Sequence, residues 1–416
     1  MRCAARLGHT RHAIADSRDD GFGAGVLRPT LSALVLDGGS GQSLAIARTL
    51  GASGWRILTE AGSRTARSRY TSAVAQIPQT DNRASYLDAL ESLSARHRVD
   101  LLVPANDLTL ELCWAAASRL GATRILGGDR RSVETFLDKK AGLAAAAEHG
   151  FPVPRTVVPD RLEAVPAAAT EIGFPCVVKP RRSFEPASTG TRHLRHAVVS
   201  SPVEAAQAAR RLSGADGGPP LVQELVPGSA IAVTFVIQDG RPLARAVRET
   251  LSFWPVTGGT SVWKRALPLD TPGVAEAERF LLSFGLEGLT EIEYQLDAKG
   301  VPRLMEVGPR AHGWIPLAEA ACPGLIETAA AVALGREAPE RHSYRGGIEM
   351  RWISGEVARI RLGLSRRAEL PPSLSRAGVI CASWPPWKPG MRYDIVDLHD
   401  PLPWAPRAVA RLLRRG

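Results

Sequence analysis

Thr290-Glu-Ile-Glu-Tyr-Gln-Leu296 and Arg303-Leu-Met-Glu-Val307 flank the turn Asp297-Ala-Lys-Gly300, and this stretch decides how the second half of the chain is read. Two apolar runs joined by a short Asp- and Gly-containing turn predict an antiparallel hairpin. The loop 298–301 sets Glu293 and Glu306 opposite each other on one face. Like charges facing across a ladder repel, and a desolvated carboxylate without a partner is costly. Something positive therefore belongs between them. Mg2+ prefers oxygen ligands, commonly one or two carboxylates with nucleotide phosphates, so the pair fits a metal seat. Separate arginine partners for each glutamate would meet the same constraint.

Around this hairpin the pattern stays mixed. Residues 231–238 and 243–248 predict a second hairpin about Asp239-Gly240. Cys176-Val-Val-Lys179 is an apolar strand closed by Pro180, and 221–226 is another, closed by Pro227-Gly228. Residues 181–195 between them read as a polar loop with Gly190 near its centre, a lid that would exclude water on closing. An Ala-rich helix is expected over 137–149, with Gly150 after its end and Pro152 and Pro154 forbidding continuation.

Upstream the organisation differs. A strand at 31–36, the turn Asp37-Gly-Gly-Ser-Gly41 and a helix at 43–50 are followed by a strand at 55–59, a helix at 86–97 and a strand at 100–104, which ends in Ala105-Asn106-Asp107. Strands alternating with helices predict a doubly wound parallel sheet. The glycine turn does not fit G-x-G-x-x-G, so it reads as a tight strand-to-helix turn rather than a dinucleotide site. Residues 1–29 lack periodicity and read as a disordered leader. The Arg- and Pro-rich tail carries an amphipathic stretch at 357–364 and a last helix at 405–413, and is expected to pack back on the body.

Composition narrows the function. The net charge of +10 comes from arginines spread along the whole length, with a basic group only at Arg407, Arg411, Arg414 and Arg415, so a nucleic-acid face is not favoured. No run approaches the roughly 18 apolar residues of a membrane span, and the expected location is the cytoplasm. Cys3, Cys113, Cys176, Cys322 and Cys381 are scattered and fit neither a disulfide framework nor a zinc site. Lysine occurs only at positions 139, 140, 179, 264, 299 and 388, which draws attention to those places. Lys179 ends an apolar strand before Ser183, Ser188, Thr189, Gly190 and Thr191, where an ammonium and wrapping backbone N–H groups reach phosphate oxygens. Lys139, behind Asp138 at a helix start, supplies a second ammonium, while Lys140 reads as its solvated neighbour.

Taken in order, Asp138-Lys139, Gly150-Phe-Pro-Val-Pro-Arg-Thr156, Gly173-Phe-Pro-Cys-Val-Val-Lys-Pro180, Gln223-Glu-Leu-Val-Pro-Gly228, Glu291-Ile-Glu-Tyr294 and Glu306-Val-Gly-Pro-Arg310 resemble the ATP-grasp superfamily, in its carbamoyl-phosphate-synthase-like, carboxylate–amine ligase branch. Pro255-Val-Thr-Gly-Gly-Thr-Ser261 and the segment Tyr393 to Pro403 extend the likeness. The resemblance implies an α/β plus α+β chain: a Rossmann-like pre-ATP-grasp domain over 30–130, a two-lobed ATP-grasp domain over 131–341 with its lid lobe at about 157–226, and a tail over 342–416. It implies that Lys139, Lys179, Thr189, Gly190 and Thr191 meet the phosphates of ATP, and that Gln223, Glu224, Leu225 and Val226 line the adenine pocket. Glu293 and Glu306 would hold Mg2+ or Mn2+, and Arg310 with Lys179 would act on the transferred phosphoryl group. By position, Arg248, Gly258, Gly259 and Ser261 would face the acceptor. Where the family usually has Asn two residues after the second glutamate, this chain has Gly308.

The function so implied is an ATP-dependent ligase that activates a carboxylate as an acyl phosphate and joins it to an amine. The alternative is an ATP-binding module that has lost turnover through Gly308. Small-molecule carboxylate and amine substrates are the expected partners, with neither nucleic acid nor membrane among them. The sequence fixes neither substrate nor the oligomeric state.

Overall fold

The computed structural model describes residues 30–187, 190–213, 218–338, 340–341, 343–365, 370, 374–385 and 391–405. The expected leader at 1–29, the basic group from Arg407 to Arg415 and most of the last helix at 405–413 lie outside these residues.

The first sheet is built on Ser32–Val35, whose four residues are all buried. Arg56–Glu60 and Thr71–Ala75 lie on one side of it and Leu101–Val103 and Arg124–Ile125 on the other, all parallel. Burial on both faces explains why Ser32–Val35 and Leu101–Val103 read as continuous apolar runs rather than alternating ones, whereas the edge strands Thr71–Ala75 and Arg124–Ile125 are partly exposed and carry no such run. The turn after Ser32–Val35 is tight: a Cβ on Gly38 would lie 2.5 Å from Ser63 Oγ and 2.7 Å from Thr59 Oγ1. The Glu60 carboxylate accepts the backbone N–H groups of Asp37 at 2.9 Å and Gly38 at 2.8 Å. A side-chain anion thus already occupies the donors that a phosphate would need. Ser40 then caps helix Gly41–Ala52, accepting from Ser43 N at 3.1 Å.

A second sheet, in the order Ala197–Val199, Cys176–Lys179, Leu221–Glu224, Thr156–Val157, is antiparallel. Helices Val165–Ile172 and Pro202–Leu212 share its small aliphatic core. The third sheet has seven strands in the order Pro302–Gly308, Gly288–Leu296, Ser229–Gln238, Arg241–Trp254, Thr260–Ala266, Glu349–Arg351, Arg392–Tyr393. Its strand Ser229–Gln238 is buried on both faces. Ile231, Val233, Phe235 and Ile237 meet helix Val274–Phe284 on one side. Ala232 and Val236, with Ala244, Ala246 and Ala266 from neighbouring strands, face helices Ile315–Ala321 and Leu325–Ala333 and the first sheet on the other. Small side chains on that face let the helices approach closely.

Two elements differ from the sequence reading. Residues 181–195, expected as a loop, contain a hairpin of Phe184–Ala187 with Gly190–His193. Pro186 and the hydroxyl residues hide it, but Phe184 and His193 stack at 4.6 Å across the ladder and Glu185 pairs with Arg192. The helix expected over 137–149 begins at Lys139, with Asp138 as its cap accepting from Lys140 N at 2.9 Å, and a separate helix, Arg130–Phe136, precedes it.

The described part of the tail lies against the body through buried charge. Asp400 accepts from Arg48 Nε at 2.8 Å, Ser68 Oγ at 2.7 Å and Arg69 N at 2.8 Å. Asp394 takes the Lys264 ammonium at 2.6 Å. Among the described residues no single helix is long and apolar enough to cross a membrane. Removing one partner of a buried pair leaves the other uncompensated, so Asp400→Ala is expected to lower the unfolding free energy by about 3 kcal/mol. A urea titration followed by circular dichroism measures this, and an unchanged midpoint would contradict it.

Candidate active site

The hairpin of Gly288–Leu296 and Pro302–Gly308 pairs Glu293 directly with Glu306 and Glu291 directly with Gly308. All three carboxylates therefore share one face of the seven-stranded sheet, the face that carries Ala232, Thr234 and Arg248. Each of the facing glutamates has a cation beside it. Lys139 Nζ lies 3.7 Å from Glu306 Oε2 and donates to Ser183 Oγ at 2.6 Å, and Ser183 in turn donates to Glu306 Oε1 at 3.4 Å. Arg248 Nη2 donates to Glu293 Oε1 at 2.5 Å and stands 3.6 Å from Glu291 Oε1. The glutamate side chains stay 39% and 30% exposed, so the pair opens outward, whereas Arg248 is buried.

Lys179, at the end of its strand, comes from the other lobe. Its ammonium contacts Met305 Sδ at 3.6 Å, on the strand that bears Glu306. Burial and the neighbouring Lys139 lower its pKa to about 8, against the opposing pull of Glu306 and Glu293. Burial and the charge on Glu291 push Glu293 up to about 7, although Arg248 works the other way. A pocket between helix Lys139–Glu148 and strand Pro302–Gly308, lined by Phe136, Lys139, Leu143, Met305 and Glu306, opens beside these groups.

Arg310 follows the hairpin and is held by the Asp107 carboxylate. Burial opposes its charge, but Asp107, Glu306 and Glu291 outweigh that and keep it protonated. Asp107 starts helix Asp107–Ala116 at the carboxyl end of strand Leu101–Val103, where open parallel sheets place ligands.

The remaining sequence-predicted residues fall in three places. Arg248 donates to Thr250 Oγ1, and Thr250 bonds to Ser261 Oγ at 2.6 Å, so Arg248 and Ser261 belong to one chain leading away from Glu293. Gly258 takes φ +120° and a Cβ there would lie 2.8 Å from His196 Nε2, which puts the 257–260 turn against the second lobe. Gly259, at φ +146°, follows in the same turn. Gln223 is buried and donates to Thr156 Oγ1 at 3.0 Å, so its carboxamide serves the small sheet. Glu224 accepts from Arg155 N at 2.8 Å, Leu225 is exposed, and Val226 is half-buried on the connection to strand Ser229–Gln238. Gly190 and Thr191 lie in strand Gly190–His193, and Thr189 lies outside the described residues.

Sequence reasoning missed Asp107, Glu291, Trp314 and His312. Trp314 Nε1 donates to Glu291 Oε1, with the Arg248 guanidinium over its ring at 5.5 Å. His312 is buried against Thr234 Oγ1 at 2.5 Å, and burial, Arg248, Arg310 and Lys264 keep it neutral. Only Asp107 carried a signal, its place at a strand's carboxyl end.

A family model described as "ATP-grasp in the biosynthetic pathway with Ter operon" matches residues 218–356. The matched stretch, which carries the hairpin of Glu293 and Glu306, is similar to that family. The chain's fold is shared with the biotin carboxylase domain of 2-oxoglutarate carboxylase from Hydrogenobacter thermophilus, solved with MgADP, ADP and bicarbonate: TM-score 0.60, 15% identity, 76% of this chain and 73% of that one. N5-carboxyaminoimidazole ribonucleotide synthetase, solved with ADP, aligns at TM-score 0.59 and 14% identity over 77% of this chain and 80% of that one. The L-amino acid ligase of Bacillus licheniformis aligns at TM-score 0.55 and 15% identity over 73% and 74%. No curated protein matches the sequence. At these identities the likeness is one of fold, and the site must be argued from its own residues.

The donor set suits a magnesium ion: the facing side chains offer only carboxylate oxygens, and the glycine at 308 leaves room beside them, since a Cβ there meets nothing nearer than Glu291 Oε2 at 3.9 Å. Among the described residues no group of three or more His, Cys, Asp or Glu side chains is placed to hold a metal ion, so the pair of facing carboxylates is the whole direct protein donor set. Lys179, lowered to about pH 8, is expected to react with an amine-acylating reagent at that pH several times faster than the exposed Lys140 and Lys299. Peptide mapping after brief labelling reads this, and equal labelling of all three would contradict the burial argument.

Proposed function

We propose that this chain is an ATP-grasp ligase that activates a carboxylate with ATP as an acyl phosphate and joins it to an amine, with Mg-ATP bound between the second lobe and the seven-stranded sheet. The observation that carries this reading is the meeting of Lys179, from the second lobe, with Lys139, Glu306 and Glu293 at one mouth. Two ammoniums and two carboxylates on rigid elements have little structural use together, but they suit a triphosphate and its cation. The ADP and MgADP bound in similar structures support the nucleotide, and the L-amino acid ligase among them supports amide formation.

The chemistry follows from charge. A carboxylate attacking the γ-phosphoryl group brings two anions together, so catalysis rests on positioning and electrostatic stabilisation. Lys139 and Lys179 bind phosphate oxygens, and Arg310, oriented by Asp107, steadies the transferred group. Glu293 and Glu306 would hold the magnesium ion, which would neutralise phosphate charge. The Phe184–His193 hairpin shields the acyl phosphate from water, and Arg248, Thr250 and Ser261 lead from Glu293 toward the acceptor side. The amine then displaces phosphate, and no nucleophilic side chain takes part.

Incubating the full chain with ATP and pooled carboxylates and amines is expected to release ADP and phosphate only when both classes are present. Lys179→Ala should lower the rate about 100-fold or more. Nucleotide affinity should also fall as pH rises through about 8, because Lys179 loses its charge there; equilibrium binding on either side of that pH measures it. A second reading, motivated by Gly308, is a nucleotide-binding module without turnover. It expects saturable Mg-ATP binding with no substrate-dependent hydrolysis, and tighter metal binding in Gly308→Asn.

A further inference from the structure

The facing pair Glu293 and Glu306 has a neighbour that the motif does not use. Glu291 lies two residues before Glu293 on the same face, directly opposite Gly308. It is buried, in a sheet region otherwise lined by Ala232, Ala246 and Thr234. Its two oxygens do different things. Oε1 is bound by Trp314 Nε1 and faces Arg248 Nη2 at 3.6 Å. Oε2 is the nearest atom, outside the adjoining residues, to where a Cβ at position 308 would stand, at 3.9 Å, and the carboxyl also bonds that of Glu293.

We infer that Glu291 Oε2 completes the cation site from the outer shell, supplying through one bridging water the contact that a side chain at position 308 would otherwise give. This rests on the proposed Mg-ATP site. A carboxylate carries a full charge where a carboxamide carries a dipole, so the substitution of position is also a gain in attraction for a hard cation. Arg248 has a matching part, since it balances Glu291 and Glu293 together and offsets the added negative charge in a buried setting. Trp314 fixes the carboxylate by its other oxygen, in the manner of outer partners that orient metal ligands. On this view the glycine at 308 is compensated within the hairpin, and the site is intact.

The test is Mn2+ binding to the full chain with ADP present, followed by electron paramagnetic resonance of free Mn2+, which needs no turnover. Glu291→Gln keeps the shape and is expected to weaken binding about tenfold or more. Adding Gly308→Asn to that variant should restore most of the loss, whereas Gly308→Asn alone should change affinity less than about threefold because the position is already served. Native-like binding by Glu291→Gln, or a tenfold gain from Gly308→Asn alone, overturns the inference; the second result stands even if Glu291→Gln does not fold. Glu293→Gln and Glu306→Gln separate the two levels of argument. Loss of binding in both with none in Glu291→Gln removes Glu291 and leaves the nucleotide site, while unchanged binding in all three removes both.

Discussion

Two carboxylates held across one antiparallel pair, Glu293 against Glu306, are the constraint around which the molecule is arranged. Left alone they would repel across the ladder and resist burial. The protein answers with cations from separate bodies: Lys139 from a helix start, Lys179 from the second lobe, and Arg248 from a neighbouring strand. Each is fixed by something else: Lys139 by Ser183, Arg248 by Thr250 and the Trp314 face, Lys179 by the apolar strand it ends. The fold can therefore be seen as the means of bringing these charges to one hairpin.

Much of this was legible in the sequence because it is local. The hairpin register follows from strand alternation and loop length, which together set Glu293 opposite Glu306. Lys179 stood out as a lysine closing an apolar strand in a chain nearly without lysine. The parallel sheet followed from alternating strand and helix patterns, and the Gly38 turn read correctly as a tight corner, since Glu60 fills its donors. What stayed hidden depends on contacts between distant segments. Nothing near Arg310 announces Asp107, some 200 residues earlier, and nothing near Glu291 announces Trp314 or the half-shared Arg248. The Phe184–His193 hairpin was hidden for a different reason: its strands carry Pro186 and small hydroxyl residues, and a ring stack and an ion pair hold it instead of apolar alternation.

Relatedness of fold adds to this without replacing it. The solved structures share the architecture at 14–16% identity, so the fold is common to them and the chemistry of a site rests on its own residues. A second polar group lies on the far side of Glu293. There Arg248, Thr250 and Ser261 are joined by hydrogen bonds, and Lys264 of strand Thr260–Ala266 takes Asp394 from the tail. The tail is therefore tied to the same part of the seven-stranded sheet.

Helix Asp107–Ala116 has a position unlike any other element. Near its start Asp107 grips Arg310, and one turn later Glu111 grips Arg182 at 2.7 Å, at the root of the covering hairpin. One helix thus holds the Arg310 guanidinium and the root of the hairpin together. No loop lies between the two grips, so continuous hydrogen-bonded backbone sets the distance between them. The placement of the hairpin and the aim of the guanidinium are in this way fixed by the same rigid element.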